Sequence, residues 1–319
     1  MVLLPEELSP GSPVSVILAI PETARIVEVK TMFPKAGELV PLCANLISAS
    51  NRVIQSAPLF YFDRFEKDSK KYTLTMAMLV VPNTYEDKEA FIEIQRYKTP
   101  PPESDTFMTM RLPGRQSLPI SPRSFNTETI AFGPENTDIK TKPDPQKTAE
   151  SRALWEIITT SSPGLYTLGG FAAPVESDRR TSFFGDRRIY QYTTGTSERS
   201  IHGGIDFGVP RGTMVRATAP GLVQMARFRI VTGNTVILQH APGVYSLYYH
   251  MDSLSVTEGS QIDGGTELGR SGSTGLSTGP HLHWEFRIQG EYADPDLMVS
   301  IAPLDKGRIL SKIMENLSN

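Results

Sequence analysis

All five histidines of this 319-residue chain fall between His202 and His283. His202 precedes Asp206 by four residues in HGGID, and His281 precedes His283 by two in HLH. Imidazole nitrogen and carboxylate oxygen are donors that suit Zn²⁺, and a catalytic zinc needs three of them with one position left open. Gathering such donors into one segment points to metal-assisted hydrolysis.

Each element is weak taken singly. In a strand, residues two apart share a face, so HLHWEF turns His281, His283 and Glu285 one way and Leu282, Trp284 and Phe286 the other. An isolated HxH is more often a surface or hydrogen-bonded pair than a metal site. The two glycines of HGGID let the backbone approach a neighbouring strand closely, although a glycine hairpin with a capping aspartate has the same pattern. In YSLYYHMDSL, His250 ends a strand in which it alternates with Tyr248 and Ser246; a lone strand-end histidine is usually only hydrogen-bonded. Their combination carries the inference. A metal-dependent oxygenase of the cupin type also uses HxH, but its glutamate lies further beyond the second histidine than Glu285 does, and it has no place for HGGID.

The surrounding sequence indicates what positions these groups. After residue 165, turns such as Thr232-Gly233-Asn234, Ala241-Pro242-Gly243 and Asp263-Gly264-Gly265 separate short β-forming runs. These predict an all-β domain over 165–319 with a groove as the place for chemistry. In the first half, runs at 13–20, 25–33, 71–82 and 90–97 predict an antiparallel, Ig-like sandwich over 1–98. With no histidine before residue 202, that half is not expected to do metal chemistry. Between them, 99–164 is proline-rich and reads as an arm, ending in one helix over 148–160 stopped by Ser-Ser-Pro-Gly.

Composition narrows the function classes. A net charge of −3 and pI near 6.0 provide no basic surface for nucleic acid. The single cysteine, Cys43, cannot form an internal disulfide and sits in an apolar stretch where burial is expected. No apolar run is long enough for a transmembrane helix. Met1 leads into LLPEELSPGSP with no basic leader, so a signal peptide is expected to be missing from this sequence.

Residues 165–297 resemble the lysostaphin-type, or LytM-like, zinc metallopeptidases that cleave peptide cross-links of bacterial cell walls. The resemblance runs through FAAPV, SFFGDRR-Y, HGGIDFGVPRGTMVRATAPGLV, GNTVILQH, YSLYYHMDSLSVTEGSQIDGG, LGRSGSTGLSTGPHLHWEF and DP. It implies one zinc ion on His202, Asp206 and His283, with His250 and His281 as catalytic histidines that do not bind metal, and His240 as structural. Glu285 is a candidate to orient an imidazole. Asn234 and Tyr248 are candidates to line the substrate groove, with residues 271–280 as a mobile wall beside it. The family implies peptidoglycan as the partner and an exported, periplasmic location. D-alanyl cross-links are expected over glycine bridges, and 99–164 is expected to restrain access to the groove. The competing reading is a catalytically inactive wall-binding or hydrolase-activating module.

Overall fold

The computed structural model describes residues 2–3, 7–22, 35–96, 110–111 and 114–316. The strand expected over 25–33 lies outside the described residues, as does most of 99–113. The chain is mostly β, as expected.

Glycine and proline turns cut the second half into short segments. These pair antiparallel in the order Arg180–Ser182, Gly204–Phe207, Leu282–Ile288, Val244–Leu254, Gly233–Ala241, Gly221–Arg229 and Gln261–Ile262, within a sheet of ten strands. One face of this sheet carries Leu282, Trp284, Phe286, Ile288, Val236 and Tyr248, all fully buried. Each large apolar side chain so buried contributes about 1.5–3 kcal/mol. The opposite face carries His283, Glu285 and Arg287 at one end and Tyr245, Leu247 and Tyr249 beside them.

The first-half strands are hydrogen-bonded in the order Val2–Leu3, Pro13–Pro21, Lys70–Val80, Val53–Lys67, Leu39–Ser48, Glu89–Arg96 and Met110–Arg111, with Gln116–Pro119 also on Glu89–Arg96. The sandwich expected within residues 1–98 is thus one sheet of eight strands among the described residues. It encloses a core of its own, with Val14, Leu46, Leu59, Leu79 and Ile92, which is compatible with the expected sandwich; its other face packs on the second half, where Phe60, Phe62, Met76 and Met78 share one core with Trp284 and Phe286. Cys43 is half-buried, with its Sγ 3.9 Å from Asn45 Oδ1, and not in the core as expected.

The proline-rich arm is more structured than its composition implies. Thr127–Ala131 pairs in parallel with Arg187–Gln191, which also pairs with Ser197–Ile201, making a separate three-stranded sheet. A short helix, Pro134–Thr141, follows. The expected linker helix spans Pro145–Thr159 and starts at Asp144, whose side chain accepts from Gln146 N as an N-cap. Its Ile158 is buried against Met225, Ile237, Tyr245, Leu247 and Tyr249. The helix therefore covers the histidine-bearing face of the large sheet, next to the histidines.

Candidate metal and catalytic site

The Gly204–Phe207 strand lies antiparallel to Leu282–Ile288, pairing Asp206 with His283 and Gly204 with Glu285. That approach needs the two glycines. A Cβ on Gly204 would stand 2.2 Å from Trp284 O, and one on Gly203 would stand 1.9 Å from Cε1 of Tyr292. With side chains removed there, three donor atoms converge. His202 Nε2 lies 3.0 Å from Asp206 Oδ1 and 3.0 Å from His283 Nδ1, and His283 Nδ1 lies 2.8 Å from Asp206 Oδ1.

The other atom of each group is committed elsewhere. His202 Nδ1 donates to Phe183 O at 2.8 Å, which leaves Nε2 as the nitrogen that presents a lone pair. His283 Nε2 donates to Glu285 Oε2 at 3.2 Å, which turns Nδ1 to the cluster. Asp206 Oδ2 accepts from Arg188 Nη2 at 2.7 Å. Tyr249 stacks on the His283 ring at 5.1 Å between centroids, with 4° between planes, and fixes its tilt. Glu285 is in turn paired with Arg287, which lies over the Tyr292 ring.

The charges of this cluster suit a cation. Burial opposes ionisation of Asp206, yet the neighbouring histidines hold its carboxyl well below the usual carboxylate range. Burial also opposes protonation of His283, but Asp206 and Glu285 overcome it and push this histidine up to about 9. Burial lowers His202. Without a metal, a proton on His283 balances the cluster. A divalent ion can replace it, because donors at zinc bond lengths stand about 3.3 Å apart, a few tenths of an ångström wider than found here. The residues present fit a zinc ion.

His281 and His250 stand beside the cluster. His281 Nε2 lies 3.9 Å from Asp206 Oδ1, while its Nδ1 donates to Gly279 O at 2.8 Å. The His250 ring is 4.7 Å from that of His281, and its Nδ1 donates to Thr274 O at 2.8 Å. Each therefore keeps Nε2 as a proton acceptor. Burial, then His281 and His283, lower His250 to about 3, so it is held neutral. Simple alternation would send His250 to the buried face with Tyr248. Its φ of 61° breaks the alternation and returns the ring to the site.

One groove expectation is corrected. Tyr248 is fully buried, accepting from Thr218 N and bonding Ser246 Oγ, so it is a core residue. Asn234 spends its side-chain amide on Met251 O and Asp252 O, pinning the strand just past His250. The 271–280 segment is also tied down, through Thr274 Oγ1 to Met251 O and Ser277 Oγ to Gly279 O. His240 is buried in the core, bonded to Pro220 O and Ser246 Oγ. Sequence reading gave no role to Arg188, which meets Asp206 across eighteen residues, nor to the carbonyls of Phe183, Thr274 and Gly279, whose function carries no residue signature.

Residues 200–295 match the family model described as peptidase family M23. The DD-carboxypeptidase/endopeptidase Mpg of Neisseria meningitidis serogroup B is 46% identical over 102 residues, 32% of this chain and 23% of that protein. The peptidoglycan DD-endopeptidase ShyA of Vibrio cholerae is 37% identical over 118 residues, 37% of this chain and 27% of that protein. The aligned part thus spans about a quarter of these curated relatives. A crystal structure of a peptidase M23 from Pseudomonas aeruginosa shares the fold, with TM-score 0.57 and 21% identity over 93% of this chain and 96% of that one. The matched stretch holds His202, Asp206, His250, His281 and His283 together, and this chain contains a peptidase family M23 domain.

Proposed function

We propose that this protein is a zinc-dependent endopeptidase that hydrolyses peptide cross-links of bacterial peptidoglycan, with one zinc ion on His202, Asp206 and His283. The observation that carries the reading is the convergence of three metal-donor atoms with two further imidazoles, each anchored through Nδ1 to a backbone carbonyl. A bound zinc ion would polarise the scissile carbonyl and acidify the attacking water.

The chain's own groups supply the proton transfers. The His250 and His281 rings lie 4.7 Å apart beside the cluster, each with Nε2 uncommitted to a backbone carbonyl. One accepts the proton of the attacking water and passes it to the leaving amine, and the other, protonated on Nε2, donates a hydrogen bond to the developing oxyanion. The carbonyls of Thr274 and Gly279 hold both neutral rings with Nε2 as the acceptor, which is the tautomer the base requires; the histidine that donates to the oxyanion acts as a cation, protonated on both nitrogens.

Substrate and location follow as parts of the same reading. The names borne by Mpg and ShyA support D-alanyl cross-links over glycine bridges, and a cross-link hydrolase meets its substrate only outside the cytoplasmic membrane. No helix among the described residues is long and apolar enough to cross a membrane. The chain divides functionally into 1–98, an arm at 99–164 and the hydrolase at 165–319. The arm restrains access to the groove: Asn136 Nδ2 bonds Ser277 O in the loop leading to His281, and Asn136→Ala should raise the rate.

The deciding experiment is mass spectrometry of fragments released from directly cross-linked muropeptides and from pentaglycine. Monomers from the former, abolished by a chelator and restored by Zn²⁺, are expected. Cleavage of pentaglycine alone would reverse the substrate preference, and binding to wall material without release of either product would favour an inactive module.

A further inference from the structure

We infer that Glu128, in the arm, is a positioning residue for the metal centre: it holds Arg188 so that Arg188 occupies one oxygen of Asp206 and leaves the other for the ion. The inference rests on reading His202, Asp206 and His283 as a metal site. Glu128 and Arg188 both precede the stretch matched by the family model.

The chain of contacts is short and direct. Arg188 Nη2 bonds Asp206 Oδ2 at 2.7 Å, and Arg188 Nε bonds Glu128 Oε1 at 2.7 Å. Glu128 Oε1 also accepts from Ser182 Oγ at 3.0 Å. The placement is imposed by the backbone, because the parallel ladder puts Glu128 directly beside Arg188. Phe132, stacked on Tyr190 at 4.7 Å, closes that ladder.

Two physical consequences follow. A carboxylate has two equivalent oxygens and can swing between them; Arg188 removes that freedom and fixes Oδ1 toward the imidazoles. Arg188 is itself a cation beside a site for a cation, and its side chain is only 14% exposed, so water does little to screen it. Glu128 supplies the compensating charge. Without it, Arg188 competes with the ion for the charge of Asp206, and the metal is held more weakly.

The test uses the full chain with Glu128→Gln, Glu128→Asp and a control, Glu198→Gln. Glu198 lies in the same small sheet but pairs with Lys140 and Tyr192. Zinc affinity is measured by chelator competition, and the Co²⁺-loaded proteins are compared by their visible absorption. Glu128→Gln keeps an acceptor for Arg188 and loses the charge, so zinc affinity should fall several-fold, less than the roughly 10–100-fold expected for a group that touches a ligand directly, and the Co²⁺ bands should shift. Glu128→Asp should recover part of both, and Glu198→Gln should match wild type. Wild-type affinity and spectrum in Glu128→Gln would overturn the inference, as would an equal loss in Glu198→Gln. If His202→Ala binds zinc as well as wild type, the metal site itself is misread, which is a separate failure.

Discussion

At the scale of single residues, the proposed function gives the HLH pair two roles two positions apart. His283 is turned by Glu285 and Tyr249 so that Nδ1 joins Asp206, whereas His281 is held by Gly279 O with Nε2 3.9 Å from the same carboxylate. Replacing His202, Asp206 or His283 by Ala should therefore abolish both zinc content and activity. Replacing His250 or His281 should leave zinc near stoichiometric while the rate falls by about two or more orders of magnitude. Metal analysis of the five purified variants beside their rates checks this, and loss of metal in His281→Ala with retention in His283→Ala would invert the assignment. His240 makes a second prediction. Burial lowers it to about 4 from 6.5, so between those values the unfolded chain binds a proton that the native one does not. Its folded pKa is depressed, so the neutral ring costs nothing above pH 6.5, and stability is lost as pH falls from 6.5 toward 4, by about 3 kcal/mol in full. Denaturant unfolding at pH 7 and 4.5 should show a smaller loss in His240→Gln than in wild type; an equal loss would remove the assignment. The donor types and their spacing were legible in the sequence because side-chain identity is itself the signal. The backbone acceptors that set each tautomer were not, because any residue can supply them.

At the scale of elements, the strand pattern located His250 but gave the wrong reason for its direction. Period-two alternation holds up to Tyr249, then a residue with φ of 61° reverses the facing, and a bulge of this kind has no one-residue signature when the residue is not glycine. The reversal is held by a contact between two turns. A Cβ on Gly233 would stand 2.1 Å from Thr274 Oγ1 and 2.4 Å from Thr274 O, the carbonyl that accepts from His250. Gly233 also has φ of 63°. On the proposed reading His250 acts on the substrate and not on the ion, so Gly233→Ala should displace Thr274 and lower kcat by about tenfold or more with zinc content unchanged. Unchanged kcat would show that the turn does not set the ring. The linker helix was legible from residue 148 because helix formers and a Pro-Gly stop mark it locally, whereas its first turn, beginning at Pro145, was read with the proline-rich arm. The arm strand Thr127–Ala131 was not, because its partner lies some sixty residues on and a five-residue run beside prolines has no local claim to be a strand. Within the helix, apolar type misleads: Ile158 is buried, but Trp155 is 58% exposed. Ile158→Ala should cost about 2–4 kcal/mol and Trp155→Ala about 0.5 or less, read by chemical denaturation; the reverse order would mean that the helix packs on its other face.

At the scale of the whole molecule, composition shifts suggested three parts, yet packing joins the outer two. The core that holds Trp284 and Phe286 continues into Phe60, Met76 and Met78 of the first-half sheet, and fold likeness to the Pseudomonas structure extends over 93% of the chain. Domain texture in a sequence reports local composition, whereas a shared core depends on contacts between residues two hundred positions apart, which no local pattern encodes. Polar groups reinforce the junction. Lys306 pairs with Asp63 at 2.7 Å and Gly11 O accepts from Asp294 N at 3.0 Å, while Arg123 of the arm pairs with the same Asp294 at 2.6 Å. Gln55 makes a further buried link: its Nε2 donates to Ile288 O at 2.8 Å and its Oε1 accepts from Val80 N at 2.8 Å, so one side chain satisfies a backbone group in each half. Gln55→Leu preserves volume and leaves both groups unpaired in a buried place, at about 1–3 kcal/mol for each. If the halves unfold together, wild type should give one calorimetric transition, and Gln55→Leu should move that whole transition to lower temperature by several degrees. Two resolved transitions in wild type, with Gln55→Leu shifting neither or only one of them, would mean that residues 1–98 and 165–319 are stable separately and that the shared core adds contact without coupling.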